Sequence, residues 1–154
     1  MSQTYEFFEL PETHTLSIRT TTTVENLSDL IGSSYGAIMQ YMAELKEPVV
    51  REPFVIYYNL DMQNLDVEMG FPVSRKLPAC GEIKSSSLPI GPVVQTTFTG
   101  PYEEMAPVYE EMGQFVKDNG HETSGISIEY YLTGPDIPAE EQVTRIVFPI
   151  KKSM

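Results

Sequence analysis

Basic residues are scarce in this 154-residue chain. Ten Lys and Arg stand against 22 Asp and Glu, a formal net charge of -12. Such a surface repels nucleic-acid phosphates and anionic lipid, so no direct nucleic-acid binding and no membrane association are expected. It favours cationic partners or proteins with basic faces, and it equally serves solubility alone. Cysteine is nearly missing too. The single Cys80 cannot close an internal disulfide, and the opening segment MSQTYEFFELPET lacks the basic and apolar stretches of a signal peptide. Together these point to a reducing cytoplasm. No apolar run approaches membrane-spanning length. The two histidines, His14 and His121, are isolated. No cysteine spacing suits zinc, haem ligation has no better support, and no glycine-rich loop could cradle phosphate. No metal and no cofactor are therefore expected. Serine, histidine and acid cannot be grouped by spacing into a nucleophilic triad.

The remaining composition is that of a globular protein: 41% hydrophobic and 21% charged, too apolar for a disordered chain and long enough for one domain with a core. A degenerate repeat organises it. SSYGAIMQYM at 33–42 and GPYEEMAPVYEEM at 100–112 each lead from a tyrosine into an amphipathic pattern bearing Met and Tyr. Each half later carries an aromatic strand, FVIYYNLD and ISIEYYLTG. Each closes on a matching tripeptide, FPV at 71–73 and FPI at 148–150.

In the first half, HTLSIRTTTTV is rich in β-branched residues and predicts a strand. Leu27, Leu30, Ile31, Ile38, Met39, Met42 and Leu45 recur at helical spacing. Gly32, Ser33 and Ser34 predict a break or kink in that helix. Strands follow near 54–60 and 65–73. The segment SRKLPACGEIKSSSLPIGP is a crossover whose CGEIKSS forms a short extra strand. In the second half, VVQTTFT is a strand and Gly100–Pro101 marks a helix start. Tyr102, Met105, Tyr109, Met112 and Val116 form its buried stripe, Pro107 bends or delays it, and Gly120 caps its end. HETS at 121–124 reads as loop. Strands at 126–132 and 143–150 finish the domain. The predicted fold class is α+β: two βαββ halves, about 12–73 and 93–150, forming one antiparallel sheet with two main helices and a ligand cleft between the halves.

The stretch ISIEYYLTGP, 126–135, carries the most suggestive residue. Alternation puts Ile126, Ile128, Tyr130 and Leu132 on one face and Ser127, Glu129 and Tyr131 on the other. Glu129 is a lone acid among aromatic rings. Either it is an ordinary charge on a solvated face, or it serves a site. Matching Ile56 to Ile128 aligns Tyr57 with Glu129, which places Tyr57 and Tyr131 as walls of one cavity. Tyr102 and Tyr109 are core or cleft-edge residues. Glu68, on LDVEMGFPV, is a second cleft acid or a solvated one. Glu103, Glu104, Glu110 and Glu111 form an exposed acidic helix face and a possible protein-binding surface.

The order Gly100, Tyr102, Tyr109, Gly120, Glu129, Tyr131, Pro135, Thr144, Ile146 and Pro149 resembles the gyrase-inhibitor-like superfamily, with GFPV and LPIGPVV of the crossover adding to the match. The resemblance is to the effector-binding domain of multidrug-responsive bacterial regulators. It implies the duplicated βαββ fold and a cleft glutamate that meets cationic aromatic ligands, a role that falls on Glu129. It covers most of the chain, from about the first strand to Pro149, so no DNA-binding domain is expected within it.

Three functions fit. The first is a stand-alone binding protein for lipophilic, cationic aromatic molecules, with Glu129, Tyr57, Tyr131, Tyr102 and Glu68 at the ligand. The second is a hydrolase of reactive cyclopropanoid compounds, with Glu129 and Tyr57, Tyr131 or Glu68 in acid–base roles. The third is an acidic inhibitor of DNA gyrase.

Overall fold

The computed structural model describes residues 3–134 and 136–152, together with the side chains of all but the last of these. Pro135, counted in the family motif, lies outside the described residues. The chain forms two compact units, residues 12–89 and residues 1–11 with 90–154.

In the first unit, β2 (His14–Thr22) leads into α1 (Val24–Glu44), then β3 (Phe54–Tyr57), β4 (Leu65–Val73) and β5 (Lys84–Ser87). The strands lie antiparallel in the order β3-β4-β2-β5. β5 is the extra strand expected from the crossover. Leu16, Ile18, Phe71 and Val73 project from one sheet face onto Ile38 and Met42 of α1. The helix runs unbroken through Gly32–Ser34, so the break expected there does not occur. Gly32 and Ser33 sit on the exposed side, while Ser34 is buried. Tyr35 packs on Phe71 with ring centroids 5.3 Å apart and donates to the Phe54 carbonyl at 2.8 Å. Tertiary packing thus outweighs the local propensity cost of about 1 kcal/mol for a helical glycine.

At Gly70 the β2 backbone comes very close. A Cβ there would lie 2.0 Å from the Leu16 carbonyl oxygen, so only glycine allows these two strands to approach this way.

The second unit repeats the plan. β6 (Gly91–Thr99) leads through a short 3-10 turn, Tyr102–Glu104, into α2 (Ala106–Asp118), then β8 (Ser127–Tyr131) and β9 (Val143–Lys152). The strand order β8-β9-β6-β1 mirrors that of the first unit, with β1 (Glu6–Leu10) beside β6. The helix begins later than Gly100–Pro101, because Pro107 sits at its first positions, where the missing N–H costs nothing. Met105, Val108, Met112 and Val116 pack on Val94, Ile146, Phe148 and Ile150 of the sheet. Tyr102, read as part of the buried stripe, lies in the 3-10 turn instead and is 53% exposed. HETS, read as loop, contains β7 (His121–Thr123), which pairs with the end of β9.

Among the described residues, nine strands and two long helices make this a mixed α+β fold, as expected. No helix among the described residues is long and apolar enough to cross a membrane.

Candidate functional site

Glu129 lies mid-strand on β8 and pairs across β9 with Ile146. Directly paired residues share a sheet face, and Ile146 belongs to the cluster beneath α2. Glu129 therefore points to the helix side of its sheet rather than into solvent, and it is only 8% exposed.

Burying a carboxylate is costly unless its oxygens are hydrogen-bonded. Two phenols meet that requirement. Tyr131, two residues on and on the same face, donates to Glu129 Oε1 at 2.9 Å. Tyr109, from α2, donates to Oε2. The Tyr109 ring is itself held against Phe148, with centroids 5.3 Å apart.

Tyr102 completes the arrangement. Its ring meets that of Tyr131 edge-on, centroids 5.8 Å apart and planes at 77°. The phenol is held above its ordinary value of 10.0, first by burial and then by the negative charge of Glu129. The field of the buried carboxylate is thus felt at a ring that reaches the surface. The turn before Tyr102 depends on Gly100, whose φ of +144° is unfavourable for other residues and whose Cβ position is closed by the Phe98 ring at 3.1 Å.

The first unit carries a different acid cluster. Glu68 is 5% exposed. It accepts hydrogen bonds from Ser17 at 2.5 Å and Tyr58 at 2.6 Å. Burial first, and then the bond to Glu68, raise the Tyr58 phenol well above the ordinary value. The Arg19 guanidinium lies 3.7 Å above the Tyr58 ring centroid and makes a two-point contact with Asp66 at 2.9 and 3.1 Å. That contact lowers the Asp66 carboxyl. Glu68 pairs with Ile56 and Arg19 on the face opposite α1, whereas Tyr57, paired with Val67, lies on the α1 face. Glu68 and Tyr57 therefore project from opposite faces of one sheet.

Strand register also corrects the internal alignment. Counting back from Phe71 and Phe148, Tyr57 corresponds to Tyr131, and the counterpart of Glu129 is Val55. The matching of Ile56 to Ile128 was two residues out. The buried acid of β8 is therefore peculiar to the second unit. Sequence reasoning did not identify Tyr109, Tyr58 and Ser17 as carboxylate partners. The available signal was a hydroxyl-bearing ring on an otherwise apolar helical stripe, at Tyr109. Among the described residues no three His, Cys, Asp or Glu side chains gather in a way that could hold a metal ion.

Fold and motif order together point to one family. The sequence matches the GyrI-like small molecule binding domain over residues 3–151, and the chain belongs to that family. No curated protein matches it. Among solved structures it is similar to the EcmrR C-terminal domain, at 24% identity and TM-score 0.82, covering 99% of this chain and 100% of that one. It is similar to EcmrR in its DNA complex at 24% identity and TM-score 0.84, covering 98% of this chain; it spans 58% of that longer chain. A hydrolase from Listeria innocua shares the fold at 16% identity and TM-score 0.71, over 96% of this chain and 91% of that one. SAV2435 bound to tetraphenylphosphonium does so at 14% identity and TM-score 0.59, over 96% and 94%. The resemblance read from the sequence is thereby borne out, and the chain is a small-molecule-binding domain.

Proposed function

We propose that this domain binds lipophilic aromatic cations, with Glu129 supplying the charge and Tyr131 and Tyr102 the aromatic wall. The observation that carries the reading is the buried Glu129 carboxylate, held by two phenols beneath an exposed tyrosine. Two phenols solvate the carboxylate in place of water but bring no positive charge. Its attraction for a cation remains, and partial burial strengthens it. Each tyrosine face adds cation–π attraction of about 0.5–2 kcal/mol, depending on desolvation. That SAV2435, a protein of the same fold, is seen with tetraphenylphosphonium, an aromatic cation, is consistent with this chemistry.

Binding in the micromolar range is expected, about -8 kcal/mol. Glu129→Gln keeps the side-chain shape and removes the charge. Calorimetric titration of tetraphenylphosphonium into this variant should show a loss of about 1–3 kcal/mol. The neutral triphenylphosphine oxide should bind both forms alike. Equal losses for both ligands would make the carboxylate purely structural, and no loss for either would remove it from the site.

A second reading, hydrolysis of electrophilic cyclopropanoids, is favoured by the Tyr109–Glu129 hydrogen bond. This places a proton donor against a buried carboxylate, the two parts of an acid–base pair. Under it, Glu129→Gln abolishes turnover of a cyclopropane-bearing probe while the fold survives. Unchanged turnover would rule Glu129 out as the base.

A further inference from the structure

A polar cavity lies in the second unit, where the β1–β6 ladder ends. The pairing stops at Glu6 opposite Gln95, while β6 runs on to Thr99. Beside this uncovered stretch the Gln3 side-chain amide stands in for a ladder partner. It donates to the Thr97 carbonyl and to the Thr96 hydroxyl, both at 2.9 Å. The cavity has a volume of about 390 Å³, and Glu6, Gln95, Thr97 and Arg145 are among the residues that line it. That size is within the range of small-molecule sites.

We propose that this cavity binds short peptides with free termini, with Glu6 meeting the ammonium end and Arg145 the carboxylate end. Gln95 pairs with Val147 and Thr97 with Arg145, on the sheet face opposite to that of Ile146 and Glu129. The cavity is therefore separate from the site beneath α2, and the proposal does not depend on the cation reading.

Strand register defines the ligand. Residues paired across strands share a sheet face, as do residues two apart on one strand. Glu6, Gln95, Thr97 and Arg145 thus project together, with the two charges on the flanking strands and two neutral polar side chains on β6 between them. Two strand spacings and a two-residue offset separate the Glu6 and Arg145 Cα atoms by about 12 Å. An α-amino acid carries both charges on one carbon and is too short. An extended tripeptide spans about 10 Å, and its peptide groups lie over Gln95 and Thr97, whose amide and hydroxyl both donate and accept.

The charged groups suit the two ends. Glu6 is exposed and accepts from Gln95 through Oε1 at 3.1 Å, while its Oε2 has no hydrogen bond among the described residues. Arg145 is half-buried, with its guanidinium 5.8 Å from the Tyr130 ring centroid. Five N–H donors let it serve a ligand carboxylate as well as neighbours in the protein, and such charge-assisted pairs are the stronger kind of hydrogen bond.

The test is an NMR titration of the intact, isotope-labelled chain with triglycine, N-acetyltriglycine and triglycine amide at constant ionic strength. Triglycine should shift the amide signals of residues 95–97 and 145 with a Kd of about 1 mM, the scale for a ligand of this size. Capping either terminus should weaken binding by about tenfold, the scale of one hydrogen bond to a charged group. Glu6→Gln, a change at an exposed position, should bring triglycine down to the level of N-acetyltriglycine and leave the latter unchanged. Arg145→Gln should do the same with respect to triglycine amide; should that variant fail to fold, Glu6→Gln decides alone. Equal weakening of all three ligands in Glu6→Gln would overturn the proposal. So would the absence of shifts at 95–97 and 145 up to about 10 mM triglycine, ten times the expected Kd.

Discussion

Glu129 and Glu68 solve the same problem with different side chains. Each is a buried carboxylate with a phenolic donor on one oxygen; the other is met by Tyr109 in one case and Ser17 in the other. In the Glu68 cluster a cation belongs to the chain itself: Arg19 covers Tyr58 and grips Asp66. Tyrosine ionisation gives these networks a pH signature. Tyr58, by burial and its bond to Glu68, and Tyr5, by burial and its bond to Glu111, are both held above the ordinary value of 10.0. A raised native value means that the folded chain keeps a proton which the unfolded chain loses. The associated stability is complete below pH about 10 and is lost as the pH climbs towards the native values. Denaturant midpoints should therefore fall steeply in alkali. In Tyr5→Phe/Tyr58→Phe the midpoint starts lower, because the buried Glu68 carboxylate loses a donor, but its alkaline slope is shallower. A slope equal to that of the parent chain would refute this assignment.

At the scale of elements, the chain is legible wherever period and punctuation agree. LDVEMGFPV is β4, and HTLSIRTTT falls within the predicted first strand. The late start of α2 follows from Pro107. Departures arise where distant contacts decide. α1 stays unbroken across Gly32 because Ile38, Met42 and Tyr35 dock it on the sheet. β1, in EFFEL, has four of its five residues exposed and so lacks the in–out alternation that marks a strand; it is held by pairing with β6 and by Tyr5 and Phe7 against Phe115. The two glycines that shape strands and turn can be tested directly. Gly100→Ala should cost about 1–3 kcal/mol of stability, since its φ is positive and Phe98 closes the Cβ position. It should also weaken cation binding by displacing Tyr102. Gly70→Ala, facing a fixed backbone carbonyl at 2.0 Å, should be the more damaging in chemical denaturation. Full stability in either variant would mean that the backbone adapts more readily than this packing allows.

Across the whole molecule, the duplication was legible because two Phe-Pro strands and two segments that lead from a tyrosine into an amphipathic pattern mark it, and the strand orders β3-β4-β2-β5 and β8-β9-β6-β1 repeat it. The candidate site was less legible. Glu129 stood out as an acid in an aromatic strand, and Tyr131 followed from alternation alone. Tyr109 did not, because a tyrosine on a helix stripe reads as core until a carboxylate is found opposite its hydroxyl. Register likewise depends on pairing across strands, which a degenerate repeat fixes only to within two residues, so Tyr57 was matched to the wrong partner. The duplicated frame tolerates divergence at single positions: Val55 occupies in one unit the strand position that Glu129 holds in the other. This confines the buried negative charge beneath a helix to the second unit, and the cation account depends on that asymmetry. The measurement that tests it most directly is a crystal structure of the chain with tetraphenylphosphonium. The account predicts the cation beside the Glu129 carboxylate, with its phosphorus within about 6 Å of the Tyr102 or Tyr131 ring centroid. A cation bound away from Glu129, with Tyr102 and Tyr131 untouched, would contradict it.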